Sequence, residues 1–233
     1  VSFHAPHVAC SVPPEYYIEP KTIKLPYPTP KELKNKPEFE KGPLRTYASA
    51  TLSKDEIGLC RGTYYGMISV VDVQVKRILD ELKKAGEYEN TIIAVTSDQG
   101  FQLGEHGLWK KRVFYDANVK VPLIIHYPKA LPRGKTINEP VELIDFLPTL
   151  QELSGIEVPT DIRGRSLMPL IRGERKTWRK ACFSEIDHSQ SMYQELRGTG
   201  RRVMVRTKDW KLIYFMDERV EELCALTHMP AEL

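Results

Sequence analysis

Long stretches of a single character are missing from this sequence. It has no run of about 18 apolar residues, so no bilayer-spanning helix is expected. No basic segment leads into an apolar one in the manner of a secretory leader. Blocks of one charge sign are absent as well: 34 basic and 31 acidic residues leave a formal net charge of +3, which gives no reason to expect a nucleic acid or an anionic membrane as partner. Cysteine is scarce and scattered. Cys10, Cys60, Cys182 and Cys224 have neither zinc-ligand spacing nor the density of a disulfide scaffold, so they read as structural and leave the redox compartment open. There is no internal repeat and no low-complexity tract. An initiator methionine is missing too, and Val1 opens inside what reads as a strand end, so the sequence is expected to be the later part of a longer one.

What is present is an ordinary globular composition: 233 residues, 41% of them hydrophobic, can bury a real core in one or two domains. The densest chemistry lies between Asn90 and Lys111. Thr91-Ile-Ile-Ala-Val-Thr96 is apolar and β-branched, which predicts a short strand buried on both faces. It ends abruptly in Ser97-Asp98-Gln99-Gly100. An Asp at the tip of such a strand, followed by a Gly that lets the backbone turn, sits where open α/β sheets hold ions or phosphate-like groups. Gly104, Glu105, His106, Gly107, Trp109, Lys110, Lys111 and Arg112 then make a loop loaded with polar side chains. On the residues alone, a solvated connection with Asp98 capping the next helix is the competing reading.

Around this stretch the elements are legible from pattern. Proline crowds the first fifty residues (Pro13, Pro14, Pro20, Pro26, Pro28, Pro30, Pro37 and Pro43), which excludes a regular helix or central strand and predicts an extended surface loop. Residues 53–86 predict a long helix, with a Ser53/Glu56 capping box and a Gly86 stop. Its apolar face is expected to run through Ile57, Cys60, Tyr64, Met67, Ile68, Val71, Val75, Ile78, Leu79 and Leu82. That helix returns into the strand already described, which predicts half of a βαβ unit with a parallel sheet. A second strand follows at 121–127 and a short helix at 144–153, with Pro148 tolerated near its first turn. After Gly155 the texture changes to short β-like runs at 181–186, 202–207 and 210–215, the last two joined by a tight turn at Lys208-Asp209. The domains read as 1–160, an α/β portion, and 161–233, a small antiparallel subdomain.

The order and spacing of Thr96-Ser97-Asp98-Gln99-Gly100, Leu103-Gly104-Glu105-His106-Gly107-Leu108-Trp109, Lys111 and Val121-Pro122-Leu123-Ile124 resemble a signature of the sulfatase family, within the alkaline-phosphatase-like superfamily. Pro6-His7, Leu147-Pro148-Thr149-Leu150, Gly164-Arg165-Ser166-Leu167 and Glu222-Leu223 are similar to further landmarks of that family. The resemblance implies an α/β fold with a mixed or parallel sheet flanked by helices, followed by a small antiparallel α+β subdomain. It also implies a sulfuric ester hydrolase acting on a sulfated glycan or small organic sulfate. Asp98 and Gln99 would ligate Ca²⁺ or Mg²⁺. His7 and Lys111 would contact the sulfate, with His4, His106 and Arg112 as weaker contributors. His106 reads first as an organiser of its loop. A periplasmic, secreted or lysosome-like compartment follows from the resemblance alone.

Two family features are not in this sequence: the adjacent acids that complete the metal site, and the Cys/Ser-x-Pro-x-Arg motif whose first residue becomes the formylglycine nucleophile. Ser11-Val12-Pro13-Pro14-Glu15 has Glu where that Arg should be. Both are expected in a preceding segment. Two alternatives stand beside the sulfatase reading, a phosphate or phosphonate ester hydrolase of the same superfamily and a non-catalytic remnant or binding module. His188, Tyr193, Arg197, Arg201 and Arg202 read as a solvated loop, with a surface facing a sulfated sugar as the alternative.

Overall fold

The computed structural model describes residues 1–7, 11–24, 52–111, 113–174, 177–187, 200–217 and 219–227. They fall into two compact units, Val1–Thr91 with Phe101–Lys111, and Ile92–Gly100 with Arg112–Leu233.

The first unit is built on helix α1 (Lys54–Lys84). The capping box forms as predicted: the Ser53 hydroxyl accepts from the Glu56 amide at 3.2 Å, and the Ser53 amide donates to Glu56 Oε2 at 2.7 Å. Gly86 follows the last turn with φ 72°. The predicted apolar face is only partly correct. Ile57 and Met67 are buried, but Ile68 and Ile78 are exposed, and the other buried positions are Gly58, Arg61, Gly62 and Gly66. The reason is the close approach of another backbone. Glycines at spacing four make a flat strip along the helix, and the segment 16–18 lies on it. A β-carbon at Gly62 would stand 2.3 Å from the Ile18 carbonyl oxygen, and one at Gly66 would stand 2.5 Å from that of Tyr16. The Ile18 amide donates to the Gly62 carbonyl at 3.3 Å. The described proline-rich residues form only two single turns of 3₁₀ helix, Pro14–Tyr16 and Pro20–Thr22, as their proline content requires. The prolines at 26, 28, 30, 37 and 43 lie outside the described residues. A two-residue hairpin ladder, β2 (Gln102–Leu103) with β3 (Trp109–Lys110), completes this unit.

In the second unit β1 (Ile93–Thr96) pairs with β4 (Leu123–His126). The pairing is antiparallel. The helix-to-strand return predicted a parallel neighbour, but β4 comes back after the intervening loop with its direction reversed. Nor is β1 buried on both faces: Val95 is 37% exposed and its cross-strand partner Ile124 is 60% exposed. A two-stranded ribbon cannot cover its own faces, and here Ile93 and Ala94 are half-buried while Val95 and Thr96 are exposed.

Helix α2 (Asp116–Val119) follows the signature loop. Helix α3 (Phe146–Leu153) continues directly from a 3₁₀ turn, with Pro148 in its first turn. Asp145 at this junction is fully buried. It accepts both Arg179 guanidinium nitrogens at 2.7 and 2.6 Å, and also the backbone amides of Glu142 at 2.8 Å and Arg165 at 2.9 Å. Thr149 donates to the Asp145 carbonyl at 2.6 Å and accepts from the Leu167 amide at 2.9 Å. The Pro148-Thr149 and Gly164–Leu167 landmarks are thus two sides of one hydrogen-bonded joint. Helix α4 (Met168–Arg172) follows.

The predicted antiparallel subdomain is a four-stranded meander, β5 (Cys182–Asp187), β6 (Arg201–Arg206), β7 (Trp210–Phe215) and β8 (Val220–Ala225). Three strands match the predicted runs within one residue. The fourth is not among the predicted runs, its Glu222-Leu223 reading only as a landmark; it carries Glu221 and Glu222, which weaken its β signal. Met204, Ile213, Phe215 and Cys224 are buried on one face. Arg202 lies on that face too, buried with its guanidinium carbon 5.1 Å from the centre of the Phe215 ring. It is therefore a packed cation and not a solvated one. His188, Tyr193 and Arg197 lie outside the described residues.

Candidate functional site

The tip of β1 is assembled in the second unit. Thr96 donates to the Pro122 carbonyl at 2.9 Å, and Ser97 donates to the Gln99 carbonyl at 2.7 Å, which closes the turn that presents Asp98. The Asp98 side chain is exposed and free to meet a ligand, with no hydrogen bond or ion pair among the described residues. Gln99 is half-buried beside it. Gly100 has a steric reason to be glycine: a β-carbon there would stand 1.9 Å from the Ala117 carbonyl oxygen. Its amide donates to the Asn118 carbonyl at 2.7 Å, so the turn is docked on α2.

Helix α2 is anchored in turn by the antiparallel sheet. Tyr115 is fully buried and donates to the Glu222 carboxylate at 3.0 Å. Lys211, fully buried on β7, donates to the Phe114 carbonyl at 2.8 Å and to Asp116 Oδ1 at 2.5 Å. Arg206 brackets the same carboxylate at 3.0 and 2.8 Å. Burial pushes the Asp116 carboxyl up, but the hydrogen bonds and charges of Arg206 and Lys211 outweigh it and hold the group at about 2. The sequence reading missed this node. Its signal was Lys211, a lone cation on the same strand face as Ile213 and Phe215.

The remaining predicted residues belong to the first unit. The His7 amide donates to the His4 carbonyl at 3.0 Å, and the two exposed imidazoles stand 4.9 Å apart, tilted at 43°. His106 is buried with φ 56°, between Gly104 at 102° and Gly107 at 72°. Three left-handed residues within four positions wind the loop into a tight turn. Lys111 is half-buried just beyond β3. Arg112 lies outside the described residues. The structure thus pairs His4 with His7, sets His106 and Lys111 on one hairpin, and puts Asp98 and Gln99 together on the β1 tip of the other unit.

As metal donors, Asp98 and Gln99 offer one carboxylate and one neutral amide oxygen, a set suited to a hard cation such as Ca²⁺ or Mg²⁺. Among the described residues no group of three His, Cys, Asp or Glu side chains is placed to hold a metal ion. The pair fits as part of a coordination sphere. No described helix is long and apolar enough to cross a membrane.

Comparison with known proteins matches the whole chain. The family model described as Sulfatase covers residues 1–156, and that described as N-sulphoglucosamine sulphohydrolase, C-terminal, covers residues 104–233. The chain is 42% identical over 158 residues to an N-acetylglucosamine-6-O-sulfatase of Bacteroides thetaiotaomicron, covering 66% of this chain and 28% of that protein. In structure it is similar to a phosphonate monoester hydrolase from Silicibacter pomeroyi, with TM-score 0.85 and 29% identity over 95% of this chain and 48% of that one. It is also similar to a protein solved in complex with its substrate D-glucosamine-2-N,6-O-disulfate, with TM-score 0.66 and 36% identity over 84% of this chain and 39% of that one. The chain spans less than half the length of each of these proteins.

Proposed function

The chain belongs to the sulfatase family, and from that premise we propose that it is part of a hydrolase of sulfate monoesters whose substrate is a sulfated amino sugar. The observation that carries this reading is continuity: the two family models overlap across the loop from Gly104 to Lys111, so the polar loop falls inside both. The amino-sugar preference rests on the N-acetylglucosamine-6-O-sulfatase relative and on the neighbour solved with a glucosamine disulfate.

Cleaving a sulfate ester requires charge to be balanced on three non-bridging oxygens and on the leaving oxygen. In this reading Asp98 and Gln99 hold a divalent cation, which when bound supplies positive charge to those oxygens. His7 and Lys111 donate to the remaining oxygens and orient the ester, with His4 and Arg112 at the rim and His106 ordering the loop. The formylglycine nucleophile implied by the family needs a Cys/Ser-x-Pro-x-Arg motif, which these 233 residues do not contain, so their contribution is to bind and orient. The similarity to a phosphonate monoester hydrolase supports a second reading, in which the same residues grip a phosphonate ester.

The test is calcium titration of this chain by calorimetry, with ester hydrolysis by the complete protein. Two protein ligands leave most of the calcium sphere to water, so affinity should be weaker than about micromolar, and Asp98→Ala should abolish it. The complete protein should cleave an aryl sulfate faster than an aryl phosphonate, and Asp98→Ala should remove that activity. Binding tighter than micromolar would mean that the ligands are misassigned. A faster phosphonate reaction would move the assignment to the second reading.

A further inference from the structure

The most unusual residue of the first unit is Arg61. It sits one turn beyond Ile57 on α1, carries a full charge, and is 2% exposed. Arginine is seldom buried this deeply unless its donors are used. Its Nε donates to the Leu103 carbonyl at 2.7 Å. The amide of the same residue donates to Glu105 Oε2 at 2.6 Å. Leu103 is therefore held at both of its backbone polar groups, by a helix side chain on one and a loop side chain on the other.

The next residue fits the same contact. A β-carbon on Gly104 would stand 3.3 Å from Arg61 Nη2 and 3.3 Å from Ile57 Cγ2, at a backbone φ of 102°. Arg61 and Ile57 form the wall against which the loop turns. One helical step away, Tyr64 stacks on Phe101 at 5.2 Å, and Phe101 meets Trp109 edge-on at 6.0 Å. Trp109 stands opposite Leu103 in the β2–β3 ladder. Two lines of contact thus run from one face of α1 to the two strands of the hairpin, and Lys111 is the first residue beyond the second strand.

We propose that Arg61 is a positioning residue: by fixing the Leu103–Gly104 peptide it sets the hairpin from which Lys111 reaches the ester. The proposal rests on the sulfatase reading for the role of Lys111, while the clamp on Leu103 stands on geometry alone. Arg61 touches no reacting atom in this scheme. A displacement of about 1 Å in a positioned group can lower a rate by about a hundredfold, and that is the scale on which Arg61 acts.

The experiment has two parts, both on the complete protein. Hydrogen exchange of wild type and Arg61→Met, with Arg61→Lys as the conservative variant, reads the clamp directly. Exchange of the amides from Gln102 to Lys111 should rise at least about tenfold in Arg61→Met, with α1 beyond Gly66 unchanged, and Arg61→Lys should restore protection because its ammonium can reach the same carbonyl. The kinetic part is a cycle with Lys111→Met on an aryl sulfate. Arg61→Met should lower kcat/KM between about 10-fold and 100-fold alone, but less than about threefold once Lys111 is gone. Equal factors in both backgrounds would reduce Arg61 to a structural residue and overturn the proposal, as would unchanged exchange in the hairpin. A wild type that cleaves no sulfate ester would refute the functional reading instead, and the exchange data would still decide whether Arg61 holds the hairpin.

Discussion

Removing the charge of Asp116 tests the joint between helix α2 and the antiparallel sheet. This carboxylate is the shared acceptor of Lys211 and Arg206, and it titrates at about 2 instead of 3.8. A displacement of that size corresponds to about 2.4 kcal/mol. Solvent screening at a side chain that is 23% exposed trims the figure to about 2 kcal/mol. The native carboxyl is depressed below its unfolded value, so its contribution is complete at neutral pH and is lost as the pH falls through 3.8 towards about 2. By pH 3 roughly half of it, about 1 kcal/mol, should be gone.

Asp116→Asn keeps the shape but leaves the Lys211 ammonium buried without its anion, so at pH 7 the variant should be less stable by about 2–4 kcal/mol. The assay is urea unfolding of wild type and variant at pH 7, 5, 4 and 3, followed by tryptophan fluorescence, which Trp210 on β7 is placed to report. The gap between the two proteins should narrow by about 1 kcal/mol between pH 7 and pH 3. A constant gap across that range would show that the carboxylate is not held by its two cations, and the account of this joint would fail.

Two further substitutions probe other parts of the fold. Helix propensity alone makes Gly62→Ala stabilising by about 1 kcal/mol, but a β-carbon 2.3 Å from the Ile18 carbonyl reverses the sign. We expect a loss of about 2 kcal/mol and a lower Tm, and a Tm above wild type would show that the 16–18 segment does not lie on the glycine strip. Burial first, and then the charge of Glu142, pushes the Cys182 thiol up to about 11, and its Sγ lies 3.2 Å from the Val141 carbonyl. Alkylation of Cys182 at pH 8, followed by mass spectrometry, should therefore be at least about tenfold slower in the native protein than in urea, and equal rates would remove the burial argument.

What the sequence disclosed and what it hid follow from how far each interaction reaches along the chain. The Ser53/Glu56 capping box, Gly86, Pro148 and the β6–β7 hairpin are settled within a few residues of themselves, and all were legible. The Asp98-Gln99-Gly100 tip was legible as a motif, although the need for glycine at position 100 lies in the Ala117 carbonyl, which no local pattern announces. Position 61 shows the difficulty most clearly. On a helical wheel an arginine between Ile57 and Tyr64 reads as an ordinary charged residue beside an apolar face, and that reading sends it to solvent. Its actual partner is 42 residues away at Leu103. The glycine strip has the same character, since glycine weakens a helix by local rules and earns its place only through the backbone it admits. Apolar periodicity predicts what a helix buries when its neighbour is a layer of side chains. It fails on α1 because the neighbour along that strip is main chain, and main chain asks for absent side chains on one strip and a long-reaching donor beside it.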